Sequence, residues 1–301
     1  MRIRDLITAY LDSRAFRNLA HSTKAEYLWQ IKLTHRYLKT ERDSSNYDTK
    51  LVDQIYAKVL AEKGDRMAWG LAKVMRKIWN WGIRQGYITA NPWNDMRIKM
   101  PKARTIVWTK KQYQEALETC DKFGFQRLKL LMMMCYYLGQ RPGDCLTVPC
   151  ANLHGDNNQT LTITQGKVGK TLHIYVPMTL REELVRIKTT RLPQFQTVER
   201  YPETFFHETR WHHIRYEWQQ LKKYLHWPAD LKIADLRRTA ITEFGDAQAT
   251  DQEIRAVGGH SMASPIMENV YAKRTFWQSY NAMKKRFPED YDEQDLENPL
   301  D

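Results

Sequence analysis

Four short stretches in the second half of this 301-residue chain carry side chains suited to one reaction. They are "LGQRPGDCL" with Arg141, "TQGKVGKT" with Lys167 and Lys170, "ADLRRT" with Arg237 and Arg238, and "GGHSMASPIMENVYAKRT" with His260 and Tyr271. Singly, each has an ordinary explanation: a charge closing an apolar helix, a turn lysine, a core aromatic with its hydroxyl at the surface. Together they suit attack on a phosphodiester. Adding a nucleophile to that anion concentrates charge on the equatorial oxygens, so cationic donors must already be in place. Guanidinium groups present planar paired N–H donors that match two phosphate oxygens, and Arg141 and Arg237 are the candidates. A phenol, with a pKa of about 10, is a weak nucleophile, but nearby cations favour the phenolate and a base can take its proton. Tyr271 would attack. The departing sugar oxygen needs a proton, which a lysine on a hairpin tip can deliver; Lys167 is the candidate and Lys170 the reserve.

This scheme requires no metal and no cofactor. Two-metal phosphoryl transfer needs clustered carboxylates that hold the ions roughly 3.5–4 Å apart, and no convincing acidic cluster lies near these residues. His212 and His213 are adjacent and lack the i, i+4 partner that would put two ligands on one helical face.

Charge points to the same substrate class. Lys and Arg outnumber Asp and Glu by 47 to 35, a net charge of +12. Residues 1–105 hold 21 basic against 10 acidic side chains and residues 106–286 hold 26 against 18, whereas residues 287–301 hold seven acids and no base. A partner with regularly spaced phosphates fits two basic segments, because each cation brought to a phosphate releases condensed counterions; a merely solvated basic surface is the plainer reading. The four cysteines form no CxxC pair and nothing near the N-terminus reads as an export signal, so a cytoplasmic location is expected. The most apolar run, "LLMMMCYYLG", is about half the ~20 residues of a membrane span, and is read as a buried helix.

The elements that must position these groups are mostly helical. Residues 1–95 read as a helical bundle, with Thr23 and Glu26 in capping-box spacing ahead of Tyr27, Leu28, Ile31 and Leu38. A second pattern, Met67, Leu71, Val74, Met75 and Ile78, stops at Gly86. Lys24, Lys32, Arg36, Lys73, Arg76, Lys77 and Arg84 fall on outward faces and could track a DNA backbone. Residues 96–106, interrupted by Pro101, read as a linker. The one strand signal is "TLTITQGKVGKTLHIYVP", in which Leu161 and Ile163, then Leu172, Ile174 and Val176, flank a Gly-rich centre with Lys167 and Lys170 at the tip. The expected fold is mainly α with a small β-hairpin: domains at 1–95 and 107–286, and an acidic tail at 287–301 that reads as disordered.

With these residues in hand, the chain resembles the tyrosine recombinases, in particular phage-type integrases, from about Ser22 to Arg274. The family's R-x-x-E/D box is similar to Arg141–Asp144, its hairpin lysine to Lys167, its H-x-x-R box to "ADLRRT" with Arg237, and its GH box to Gly259-His260, with the nucleophile on Tyr271. "WGIRQGYITANPW" resembles the close of the family's core-binding domain and "WTKKQYQEAL" the opening of its catalytic domain. The resemblance implies a helical, SAM-like core-binding domain and a catalytic domain that clamp duplex DNA. It also implies a homotetramer on attachment or recombination sites and a 3′-phosphotyrosyl intermediate, with accessory DNA-bending or directionality proteins as further partners. A chromosome-dimer-resolving relative and a catalytically impaired DNA-binding protein are the alternatives. Two departures stand out. Ala234 occupies the usual histidine position, where a methyl group can neither accept a proton nor bond a phosphate. That role then falls to His260 or Lys232, or is missing. The gap from His260 to Tyr271 is longer than the family's usual spacing; Tyr280 is the distant alternative nucleophile.

Overall fold

The computed structural model describes residues 1–98, 101, 105–167, 169–191, 204–206, 209, 211–259 and 276–290. Two units separate, Met1–Arg104 and Thr105–Asp301, each built around its own hydrophobic core.

The first unit consists of α1 (Ile3–Asp12), α2 (Arg14–Arg17), α3 (His21–Tyr37), α4 (Thr49–Lys63) and α5 (Asp65–Arg84). Its centre is α5, where Leu71, Val74, Met75 and Ile78 recur at helical spacing and are wholly buried against α1, α3 and α4. Three details differ from the sequence expectation. Helix α3 starts at His21, because the Lys24 N–H already bonds the Ala20 carbonyl at 2.9 Å. Thr23 is therefore inside the helix, and no capping box with Glu26 forms. Tyr27, Ile31 and Leu38 are buried, but Leu28 falls beside their stripe and is 43% exposed. Finally, Arg76 does not face outward as a free cation: its guanidinium donates to the Trp93 carbonyl at 2.7 and 3.0 Å and to the Met96 carbonyl at 3.2 Å. Lys32, Arg36, Lys73, Lys77 and Arg84 are exposed, and Lys24 is half-buried.

In the second unit the helices are α6 (Lys110–Phe123), α7 (Gln126–Leu138), α8 (Pro142–Cys145), α9 (Met178–Arg191), α10 (Trp211–Tyr224), α11 (Asp235–Asp246), α12 (Asp251–Gly258) and α13 (Phe276–Arg286). The apolar run becomes α7, the buried axis of this unit. Among the described residues no helix is long and apolar enough to cross a membrane. A three-stranded antiparallel sheet, β1 (Leu153–His154), β2 (Thr160–Gln165) and β3 (Lys170–Tyr175), flanks the helices. Leu161 pairs with Ile174 and Ile163 with Leu172, so the alternating apolar positions share the buried face. Lys170 pairs with Gln165 and opens β3; only Lys167 lies in the turn itself.

Two contacts fix the helices that matter for the site. The Trp108 N–H donates to Thr239 Oγ1 at 2.9 Å and its indole to the Lys232 carbonyl at 3.2 Å, which anchors the start of α11. Helix α13 docks through Ser279, which accepts the Tyr175 N–H and donates to the His173 carbonyl. Lys285 meets Glu253 at 2.7 Å, and Arg286 meets Glu243 at 2.8 Å. The order continues past α13: Phe287 stacks on Tyr137 and Asp290 accepts the Thr179 N–H. The acidic tail thus begins with a packed stretch, because its first aromatic ring has an apolar seat; residues 291–301 lie outside the described residues.

Candidate active site

Helix α7 ends in Gly139, whose positive φ of 59° turns the chain sharply into Gln140 and Arg141. Pro142 then opens the short α8. The Arg141 guanidinium lies 3.5 Å from the Asp144 carboxylate with its side chain 34% exposed, so it keeps donors facing solvent. Asp144 is buried, and its other oxygen accepts the Gly166 N–H at 3.0 Å. One carboxylate thus ties the arginine to the turn that carries Lys167.

Arg237 sits in the first turn of α11 and is 9% exposed. It donates to the Gly139 carbonyl at 2.8 Å and to the Gly258 carbonyl at 2.7 Å. These oxygens close α7 and α12, and a cation is favoured at helix C-termini. Burial first, and then the charge of Arg141, lowers the Arg237 pKa to about 10, with Asp144 opposing. It remains a cation at neutral pH. Two guanidinium groups that raise each other's energy define a place where an anion relieves the repulsion.

Lys167 is exposed on its turn and makes no hydrogen bond among the described residues, whereas Lys170 is half-buried. Lys232, Ala234 and Arg238 are exposed. Ala234 is the N-cap of α11 and makes no side-chain capping bond, and Lys232 donates its backbone N–H to Asp235. His260 and Tyr271 lie outside the described residues, which resume at Phe276 after Gly259. Tyr280 is 4% exposed and packs edge-on against Tyr175 at 4.9 Å. It is a core residue, so the alternative nucleophile is set aside.

Sequence reasoning missed two residues, Gln140 and Gln165, both fully buried. Gln165 Nε2 donates to Gln140 Oε1 at 2.8 Å and to the Gly258 carbonyl at 3.1 Å. Gln140 Nε2 donates to the Leu138 carbonyl at 2.9 Å and to the Val257 carbonyl at 2.5 Å. The signal was present: Gln165 continues the inward parity of Leu161 and Ile163, and a polar residue at a core position needs a partner. Gly259 completes the clasp with φ +67°, and a Cβ there would lie 2.5 Å from Gln165 Oε1. Gly259→Ala is expected to destabilise the fold by about 1–3 kcal/mol; urea unfolding checks this, and an unchanged midpoint would contradict the packing.

The chain belongs to the phage integrase family, whose model matches residues 107–276. Among solved structures it is similar to a lambda integrase dimer bound to a COC′ core site, with 17% identity, a TM-score of 0.70 and coverage of 87% of this chain and 96% of that one. A lambda integrase tetramer bound to a Holliday junction gives 18% identity and a TM-score of 0.70, covering 88% of this chain and 79% of that one. The Tn1549 transposon integrase in complex with transposon right end DNA gives 15% and 0.70, covering 96% and 100%. At these identities the likeness is one of fold. No curated protein matches the chain.

Proposed function

We propose that the protein is a site-specific DNA recombinase that breaks and rejoins strands through a 3′-phosphotyrosyl link. The observation that carries this reading is the pairing of Arg141 with Arg237, the latter locked by two main-chain carbonyls beside a turn that presents Lys167, inside a phage-integrase fold. In the forward step the Tyr271 oxygen bonds to phosphorus as the bond from phosphorus to the 5′-oxygen breaks. Arg141 and Arg237 hold the charge that gathers on the non-bridging oxygens. His260 takes the phenolic proton, and Lys167 gives one to the departing 5′-oxygen. Rejoining runs the same atoms backwards with the 5′-hydroxyl of a partner duplex. The ester is conserved in the protein–DNA link, so ATP is not consumed. Four protomers on paired duplexes are the working assembly, as for the lambda integrase tetramer on its junction.

A second reading, a DNA-binding relative that has lost the chemistry, draws on Ala234, which offers no polar side-chain atom at the start of α11. One experiment separates the two. A nicked suicide duplex, from which the released strand diffuses away, should accumulate a covalent protein–DNA adduct with and without EDTA. Binding without adduct favours the second reading, and an adduct abolished by EDTA removes the metal-free scheme.

A further inference from the structure

A lysine on a flexible four-carbon stem can deliver its proton reproducibly only if its backbone is held, because the side chain itself supplies little preorganisation. The residues before Lys167 are held in an unusual way. Gln165, the last residue of β2, is completely buried; its Nε2 donates to Gln140 and to the Gly258 carbonyl, while its Oε1 has no hydrogen-bond partner among the described residues. Gly166 then gives its N–H to Asp144. An apolar residue would fill the inward position at 165 without the desolvation cost of an amide, so what the amide adds is direction. The Gly258 oxygen that receives Gln165 also receives Arg237, at 2.7 Å. Arg237 keeps its own bond to that oxygen and a second to the Gly139 carbonyl, so its place does not depend on the amide.

We infer that Gln165, backed by Gln140, is the positioning residue for the leaving-group acid, a role that rests on the reading of Lys167 given above. It aims the turn without touching substrate.

The test compares two substrates. In the ordinary duplex the bond from phosphorus to O5′ breaks and O5′ must take a proton from Lys167. With sulfur in place of that bridging oxygen the P–S bond breaks and a thiolate leaves unprotonated, since a thiol has a pKa of about 8.5 against about 15.7 for water, the oxygen analogue. Single-turnover cleavage by Gln165→Met should fall about 10²-fold on the oxygen substrate, the scale of a small misplacement. It should return to within about threefold of the unaltered protein on the sulfur substrate, because no acid is then needed. Lys167→Ala should share this pattern, and Arg237→Ala should remain slow on both. An equal deficit of Gln165→Met on both substrates, or no deficit on either, overturns the inference. If Gln165→Met fails to fold by circular dichroism, Gln140→Met, which cuts the same contact from its other side, decides by the same criterion. If Lys167→Ala is not rescued, the acid assignment fails and takes the inference with it. If Lys167→Ala is rescued and the glutamine variant is not, only the inference fails.

Discussion

Tyr271→Phe should form no covalent adduct on the nicked duplex, a fall of about 10⁶-fold if loss of this nucleophile acts on the scale seen for others, while binding to the same duplex stays near that of the unaltered protein. The substitution removes one oxygen and leaves the ring, so a loss of adduct with intact binding isolates the attacking atom. Tyr280→Phe is the internal control. That ring is buried against Tyr175 on a helix bonded to β3, and its loss of a hydroxyl should leave adduct formation in place. Gel-shift binding and denaturing-gel trapping, run side by side, check both. An adduct from Tyr271→Phe would remove the assignment outright.

The second large effect concerns Arg237. Arg237→Ala is expected to slow single-turnover cleavage by about 10²–10³-fold, the loss that follows removal of one transition-state donor. It should also destabilise the fold by about 1–3 kcal/mol, because the Gly139 carbonyl loses this donor and the Gly258 carbonyl one of its two. Arg237→Lys is the sharper probe. Burial and the Arg141 charge bring the arginine down to about 10, which still leaves it charged at neutral pH. An amine begins lower, at about 10.4, so the same surroundings would deprotonate it near neutrality. The lysine variant should therefore lose ground to the unaltered protein as pH rises from about 7 to about 9. Stability runs the other way. Because the folded pKa of Arg237 is depressed, the unfolded chain binds more protons only between about 10 and the ordinary arginine value. Its burial cost is thus fully present and flat with pH below that window, and is relieved only as pH climbs through it. A pH–rate profile parallel to that of the unaltered protein would show that charge alone, and not its persistence, is what the site uses.

The sequence reading of the fold rested on periodicity, and it succeeded where one face is buried by a strong stripe. Helix α5 and the β2–β3 pair are the clear cases, since moving Leu71 or Ile163 off the core would expose apolar surface along a whole element. It failed at helix α3, where the first turn closed on Ala20 and left Thr23 no orphan N–H to cap. It failed again at Arg76, because a guanidinium five donors wide can serve carbonyls from a later segment that no local pattern reveals.

What the chain determines by itself is the inventory: basic segments, an apolar α7, a hairpin, and a family match over residues 107–276. Residue type and short-range spacing are enough for that, because propensity and amphipathic period act within a few turns. Only the folded chain decided that Arg237 and not Arg238 turns inward, that Asp144 reaches Gly166, and that Gln140, Gln165 and Arg237 share the closing carbonyls of α7 and α12. Those bonds join residues far apart along the chain. Apart from the Gly166 N–H, which donates to Asp144, the main-chain partners are oxygens left unpaired at helix ends, and where such an end comes to rest is a property of packing that no single stretch encodes.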